Sequence, residues 1–308
     1  MADRSAIEWT EATWNPVTGC DRISPGCENC YALTLAARLK AMGAAKYQSD
    51  GNPATSGPGF AVTVHPDALS APRRWREGRM VFVNSMSDLF HAKVPVSFIR
   101  DVFDVIAETP RHTYQILTKR SLRLLRLSEQ IAFPANAWIG VSIENADQAY
   151  RAGHLRRIEQ DITRWISAEP LLGPLDRLSL DGIDWVVAGG ESGARARPMH
   201  PDWARGLRDR CAEQGIAFFF KQWGAWEPTG WRGIGHERIE RHSLNGEAPR
   251  LVAQVGEPID AFGHRVLMRR VGKHAAGRVL DGRTWEQYPT ARATPSVPAP
   301  TRPVPAGH

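Results

Sequence analysis

A chain of 308 residues, 42% hydrophobic and 23% charged, is long enough to bury a large core, and this composition excludes disorder over the whole length. No apolar stretch approaches the roughly 20 residues of a membrane helix, and the opening MADRSAIEWTEATW has no basic region followed by an apolar run, so a soluble, cytoplasmic protein is expected. The formal charge is +6, with much of the excess in Arg120, Arg123 and Arg126, in Arg151, Arg156 and Arg157, and in Arg205, Arg208 and Arg210; it suits nucleic acid or another anionic partner, and equally a set of solvated helix faces.

In chain order, Ala12–Val17 reads as a first strand leading into a cysteine-bearing loop, and Tyr31–Met42 has helical spacing through Leu33, Ala36, Ala37 and Lys40. SDGNPATSGPGF is then a loop or excursion. From there short apolar runs alternate with helical stretches. Strands are expected at Val81–Asn84, Tyr114–Leu117, Trp138–Ser142, Arg164–Ser167, Trp185–Ala188 and Ile216–Phe220. Helices are expected at Val96–Ala107, Ser121–Glu129, Asn145–Arg157 and Pro201–Gln214. Such alternation implies right-handed βαβ units and a parallel sheet. About seven strands suit a full or partial (β/α) TIM-like barrel, and no G-x-G-x-x-G follows the first strand to suggest a dinucleotide fold. The α/β barrel is expected over 1–224, a C-terminal extension packed on it over 225–288, and a disordered Pro/Ala-rich tail over 289–308. Within the extension, Arg265–Met268 and Trp285–Tyr288 are short β-like runs.

Four cysteines are too few for a secreted disulfide scaffold, yet Cys20, Cys27 and Cys30 fall within eleven residues, in TGCDRISPGCENCYA. The glycines and proline let three thiolates converge from one side. Thiolates suit iron–sulfur clusters and zinc. Three cysteines on a cluster leave one iron open, whereas zinc needs a fourth protein ligand. The loop has no histidine and Cys211 lies at the end of a helix, which leaves distant His65 or His91 to close a zinc site.

The run GC…GCENCYA resembles the cluster loop of spore photoproduct lyase-type radical S-adenosylmethionine (SAM) enzymes. The whole pattern resembles the phage-associated three-Cys-motif, radical-SAM-like family, through WNPVTGC, GCENCYA, VFVNSMSDLFH, ILTKR, WIGVSIEN, ISAEPLLGPL, VVAGGESG and FFFKQWG over residues 9–224. The first cysteine gap is six residues where the common radical SAM motif has three, and Asn29 stands where many members carry an aromatic. The resemblance implies a barrel of the radical SAM type with a [4Fe–4S] cluster on Cys20, Cys27 and Cys30 at its C-terminal mouth. The open iron would bind SAM, and an electron from a donor would cleave it to a hydrogen-abstracting radical. The substrate and reaction are not implied by the family.

In a barrel the residues just after each strand line the mouth. Ser85 and Asp88, after the second strand, are candidates for the SAM ammonium by resemblance, or else for a helix N-cap. Lys119, beside Arg120, suits a carboxylate or phosphate, or a surface helix start. Glu144, following Ser142, and Glu169 are candidates for SAM ribose or substrate, or for loop backbone. Gly189, Gly190, Glu191 and Ser192 resemble a GGE motif, displaced to about the sixth strand. They suit adenine, ribose or substrate, and the glycines also suit a tight turn. Lys221 and Gln222, next to Trp223, are substrate candidates. The leading expectation is therefore an enzyme using a [4Fe–4S] cluster and SAM on nucleic acid or a nucleotide. The alternative is a zinc-stabilised nucleic-acid-binding protein with a catalytically silent barrel.

Overall fold

A computed structural model describes residues 5–228, 252–255 and 266–290. Strand β1 (Ala12–Trp14) is followed by β2 (Val17–Thr18), the cysteine loop and helix α1 (Tyr31–Ala41). After β3 (Thr63–Val64) and the single turn α2 (Ala71–Arg74) come β4 (Met80–Val83), α3 (Val96–Glu108), β5 (Thr113–Thr118) and α4 (Ser121–Ser128). Then follow β6 (Ala137–Ser142), α5 (Tyr150–Arg156), β7 (Thr163–Ala168), β8 (Trp185–Gly189), α6 (Pro201–Glu213) and β9 (Ala217–Gln222). Beyond these lie β10 (Trp226–Pro228), β11 (Val252–Val255), β12 (Val266–Arg270) and the turn α7 (Lys273–Ala276).

The expected parallel sheet is present, in the order β1-β4-β5-β6-β7-β8-β9 with every neighbouring pair parallel. β1 and β9 are its two edges, so the α/β barrel is partial. The anticipated strand Ala12–Val17 is in fact two strands. Pro16 has no N–H to continue the ladder, and β2 turns away to pair antiparallel with β3. The anticipated helix Asn145–Arg157 begins with a 3-10 turn over Ala146–Gln148, with the Asn145 side chain accepting from the Asp147 N–H, and only then becomes α5. β7 and β8 are joined without an α-helix. Leu171, Leu175, Leu178, Leu180 and Ile183 of that connection are buried and fill the place a helix would cover.

Period-2 alternation assigns the two faces. Val81, Val83, Tyr114, Ile116, Ile139, Val141, Ile166, Val186, Phe218 and Phe220 face the helices. There α3 contributes Phe98, Ile99, Val102, Phe103 and Ile106 from one stripe. The residues between them, Phe82, Trp138, Trp165, Trp185 and Phe219, point to the concave side and pack with Trp9. The Trp9 ring lies 4.7 Å from Phe82, 5.3 Å from Trp165 and 6.1 Å from Trp185. One indole thus touches the second, fifth and sixth strands of the sheet, which requires that the sheet curl around it. Gly140 makes room for this layer, because a Cβ there would meet the Trp165 ring at 2.3 Å.

β10, β12 and β11 form a small antiparallel sheet. The segment after it returns to the barrel through Trp185 Nε1–Gln287 O (2.9 Å), Trp223 Nε1–Val279 O (2.9 Å) and a bridge between Phe219 and Glu286. Of the two β-like runs, Val266–Met268 lies within β12 while Trp285–Tyr288 makes these isolated contacts; Arg265 and the tail from 291 lie outside the described residues. No described helix is long and apolar enough to cross a membrane.

Candidate functional site: three cysteines at the barrel mouth

Following the same alternation toward the C-terminal strand ends, the inward positions change from aromatic to polar: Asn84, Lys119, Ser142, Ser167, Glu169 and Lys221. They surround a cavity of about 270 Å³ whose wall also contains Cys20, Cys27 and Cys30. This is the face on which parallel barrels place their chemistry.

Strand ends hold the cysteine loop from several sides. Gly19 turns at φ +85°, and a Cβ there would meet Ala61 O at 2.0 Å; its N–H donates to Met86 O and its carbonyl accepts from Ser87. Asp21 accepts from Thr55 (2.7 Å) and contacts His91 (3.0 Å). Ser24 donates to Glu144 at 2.7 Å, and Gly26 lies so close to the Glu144 carboxylate that a Cβ would meet its Cγ at 2.5 Å. Arg197 donates to Pro25 O (2.8 Å) and Glu28 (3.0 Å), while Asn29 donates to Glu191 (3.0 Å). Cys30 itself is the N-cap residue of α1.

All three cysteines are free. Burial pushes the Cys20 thiol up to about 12, with the nearby Asp88 carboxylate adding to it, and burial raises Cys30 as well. Lys119 stays protonated despite burial because Glu144, Cys27 and Cys30 face it. Thiolates are stable here only against positive charge, which a bound metal centre provides. Among the described residues no three His, Cys, Asp or Glu side chains gather tightly enough to hold a single ion. One tetrahedral zinc, about 2.3 Å from each sulfur, requires such a gathering. Cys20, Cys27 and Cys30 all line the one cavity, and thiols are the donor type that both iron–sulfur clusters and zinc take. The two distant histidines do not complete a zinc site. His65 is hydrogen-bonded to Thr18 (2.8 Å), His91 faces Asp21, neither lines the cavity, and Cys211 is buried in α6.

Ser85, Asp88, Lys119, Glu169, Gly190, Glu191, Ser192, Lys221 and Gln222 all reach the cavity; Glu144 and Gly189 do not. Asp88 caps no helix. It accepts from Thr118 Oγ1 (2.7 Å) and from the Lys119 N–H (3.0 Å), joining β5 to the loop after β4. Ser85 is hydrogen-bonded to Asn15. Glu144, expected at SAM ribose, is fully buried and bound to Arg151 (2.9 Å), with Lys119 at 3.5 Å, so its carboxylate braces the cysteine loop. Glu191 has a similar place, held by Arg197 at 2.6 Å. Gly190 is required by packing, since its Cβ would meet Trp223 O at 2.0 Å. Glu169 pairs with Lys221 (2.9 Å) and accepts from Trp9 and Ser167 (both 3.2 Å). Of the residues that reading by motif missed, Ser167 was accessible to period-2 counting, two positions beyond the inward Trp165. Trp9, Ser24 and Arg197 carried no local signal.

The arginine groups are largely internal braces. Arg123 donates to His91 O and Val94 O, Arg156 to Ser179 O, and Arg210 to Leu175 O and Leu178 O; Arg205 and Arg208 both hold Asp281. Arg120 donates to Asp21 O, and Arg151 is buried against Glu144. Arg126 and Arg157 remain exposed.

The Glu191 brace has a pH signature. Burial opposes ionisation, but hydrogen bonds from Arg197 and Asn29 outweigh it and hold the carboxyl below its usual range. A folded-state value below the unfolded one gives stabilisation that is complete above the ordinary glutamate pKa of about 4.3 and is lost as pH falls through the folded value. Glu191→Gln is expected to cost on the order of 1–3 kcal/mol at pH 7, the range for hydrogen bonds to charged groups. Thermal melts across a pH series should show the gap to wild type closing below about pH 4; a pH-independent gap would reject this role.

Solved structures similar to this chain include a spore photoproduct lyase mutant with dinucleoside spore photoproduct, at 14% identity and TM-score 0.44, covering 76% of this chain and 69% of that one. Spore photoproduct lyase complexed with dinucleoside spore photoproduct matches at 14% identity and TM-score 0.41, with the same coverage. A double mutant with bound AdoMet and dinucleoside spore photoproduct matches at 13% and 0.39, covering 72% and 66%. No curated protein matches. A family model described as "Protein of unknown function (DUF5131)" matches residues 4–289, and the chain belongs to that family.

Proposed function

We propose that this chain is a radical-SAM-like enzyme in which Cys20, Cys27 and Cys30 hold a [4Fe–4S] cluster, SAM binds in the adjoining cavity, and the substrate is a nucleic acid or nucleotide. The observation that carries this reading is the placement of three free thiols and the polar inward strand ends on one cavity. When bound, the cluster and SAM supply electron transfer and radical chemistry, the part of the work that belongs to cofactors. The chain's own residues do the rest. Glu144 and Glu191 keep the cysteine loop against the strand ends. Lys119 offers a cation beside Cys27 and Cys30, suited to a cofactor carboxylate or to the charge of the thiolates. Ser85 and Asp88 line the cavity and are the candidates for a cofactor ammonium, and Ser192 and Gln222 border the end toward β9. The Trp9, Phe82 and Leu117 side chains give the cavity an apolar wall.

The test is composition followed by turnover. Protein purified without oxygen should contain iron and sulfide in equal amounts. On addition of SAM and dithionite, in place of the natural electron donor, it should release 5′-deoxyadenosine. Stoichiometric zinc without iron would overturn the reading.

A further inference from the structure

The charged groups of the cavity are matched within the protein. Lys221 pairs with Glu169 at 2.9 Å, whose other oxygen accepts from Trp9 and Ser167. Asp88 accepts from Thr118 and the Lys119 N–H, Lys119 lies 3.5 Å from Glu144, and Glu191 is held by Arg197. The buried side-chain atoms of cavity-lining residues that lack a partner among the described residues are all neutral. Asn84 is 3% exposed, follows β4 directly on the cavity wall, and neither its side-chain oxygen nor its nitrogen has a partner among the described residues. Gln222, 7% exposed at the end of β9, donates to Ser192 Oγ at 2.9 Å, and its own oxygen has no partner among the described residues. Few buried polar groups in folded proteins lack partners, and each one asks for a reason.

A carboxamide presents one acceptor beside one donor. Its complement is a ligand edge with a donor beside an acceptor, as on every nucleobase, where Asn and Gln make paired contacts. A phosphate or carboxylate offers acceptors alone and would leave the Asn84 oxygen unmatched; an ammonium offers donors alone and would leave its N–H₂ unmatched. Trp9, Phe82 and Leu117 add an apolar wall suited to a flat ring.

We propose that Asn84 reads the hydrogen-bonding edge of an uncharged nucleobase in this cavity, with Gln222 supplying a further acceptor. The proposal rests on the cavity being the substrate site of the reading above, and it assigns Asn84 to the base of the substrate rather than to its phosphate.

Asn84→Leu keeps the approximate shape and removes both polar atoms. In cluster-loaded protein purified without oxygen, at least one of the four ribonucleosides should bind in equilibrium dialysis. The variant should bind it at least about tenfold more weakly, as should wild type offered the same nucleoside methylated on its base-pairing nitrogen. The melting temperature of the variant should hold or rise, because a buried polar group without a partner has been removed. A lower melting temperature with unchanged nucleoside affinity would make Asn84 a structural residue. Loss of SAM affinity alone would make it a cofactor contact, and no nucleoside bound by wild type would also overturn the proposal. Iron and sulfide measured in the same samples separate the two ideas. Nucleoside binding through Asn84 without a cluster would sink only the radical-SAM reading. A SAM-cleaving protein that binds no nucleoside would sink only this one.

Discussion

Alanine at Cys27 is expected to abolish iron and sulfide incorporation while leaving the fold intact. Cys27 ends a short 3-10 turn and its sulfur contacts Ser24 Oγ at 3.7 Å, so truncation removes the proposed ligand and very little packing. Surface-like substitutions of this kind change stability by about 0.5 kcal/mol or less. A three-cysteine cluster has no spare protein ligand, and the histidines that could stand in are occupied away from the cavity. The same loss is expected for Cys20→Ala and Cys30→Ala. Cys211→Ala is the control. That thiol is buried among the apolar residues of α6, so its loss should lower the melting temperature slightly and leave iron content at the wild-type level. Metal analysis and the visible absorption of the purified variants decide the matter; full iron in Cys27→Ala would remove that residue from the ligand set.

Glu144→Ala is expected to cause the largest loss of stability of any single change at the site. The carboxylate is fully buried and Arg151, 1% exposed, donates to it at 2.9 Å. Removing one partner leaves a guanidinium in the core without its counter-charge, which typically costs about 3–5 kcal/mol. The loop loses its Ser24 anchor at the same time. A double variant, Glu144→Leu with Arg151→Met, separates the two effects. Replacing a buried ion pair by apolar groups of similar volume is often nearly neutral, so the double variant should regain most of the melting temperature. It should still load iron less completely, because Ser24 has nothing to hold. If Glu144→Ala melts within about 1 kcal/mol of wild type, the pair is not the brace described here.

These expectations depend on contacts that join distant parts of the chain. Ser24 and Glu144 are 120 positions apart, Asn29 and Glu191 162, and Arg197 and Pro25 172. From motif position alone Glu144 and Glu191 both read as cofactor contacts, since each follows a strand at the mouth. Their partners Arg151 and Arg197 are what make them braces. Arg205, Arg208 and Arg210 behaved likewise: they read as part of an anionic-partner surface until Asp281 and the loop carbonyls were brought against them.

The sequence by itself determined the parallel α/β character, the approximate place of all seven sheet strands, the cysteine trio, and most of the polar residues that reach the mouth. Those are local properties, written in period-2 and period-3.6 patterns and in the residues just after each apolar run. It also contained the break after β1, in Pro16, although the apolar run masked it. The tertiary structure alone decided that the sheet stays open between β1 and β9 and that Trp9 fills its concave side. It also decided that two glutamates hold the cysteine loop and that Asn84 is left without a partner among the described residues. Each of these depends on which residues meet across the curled sheet, and side chains brought together over more than a hundred positions leave no periodic trace along the chain.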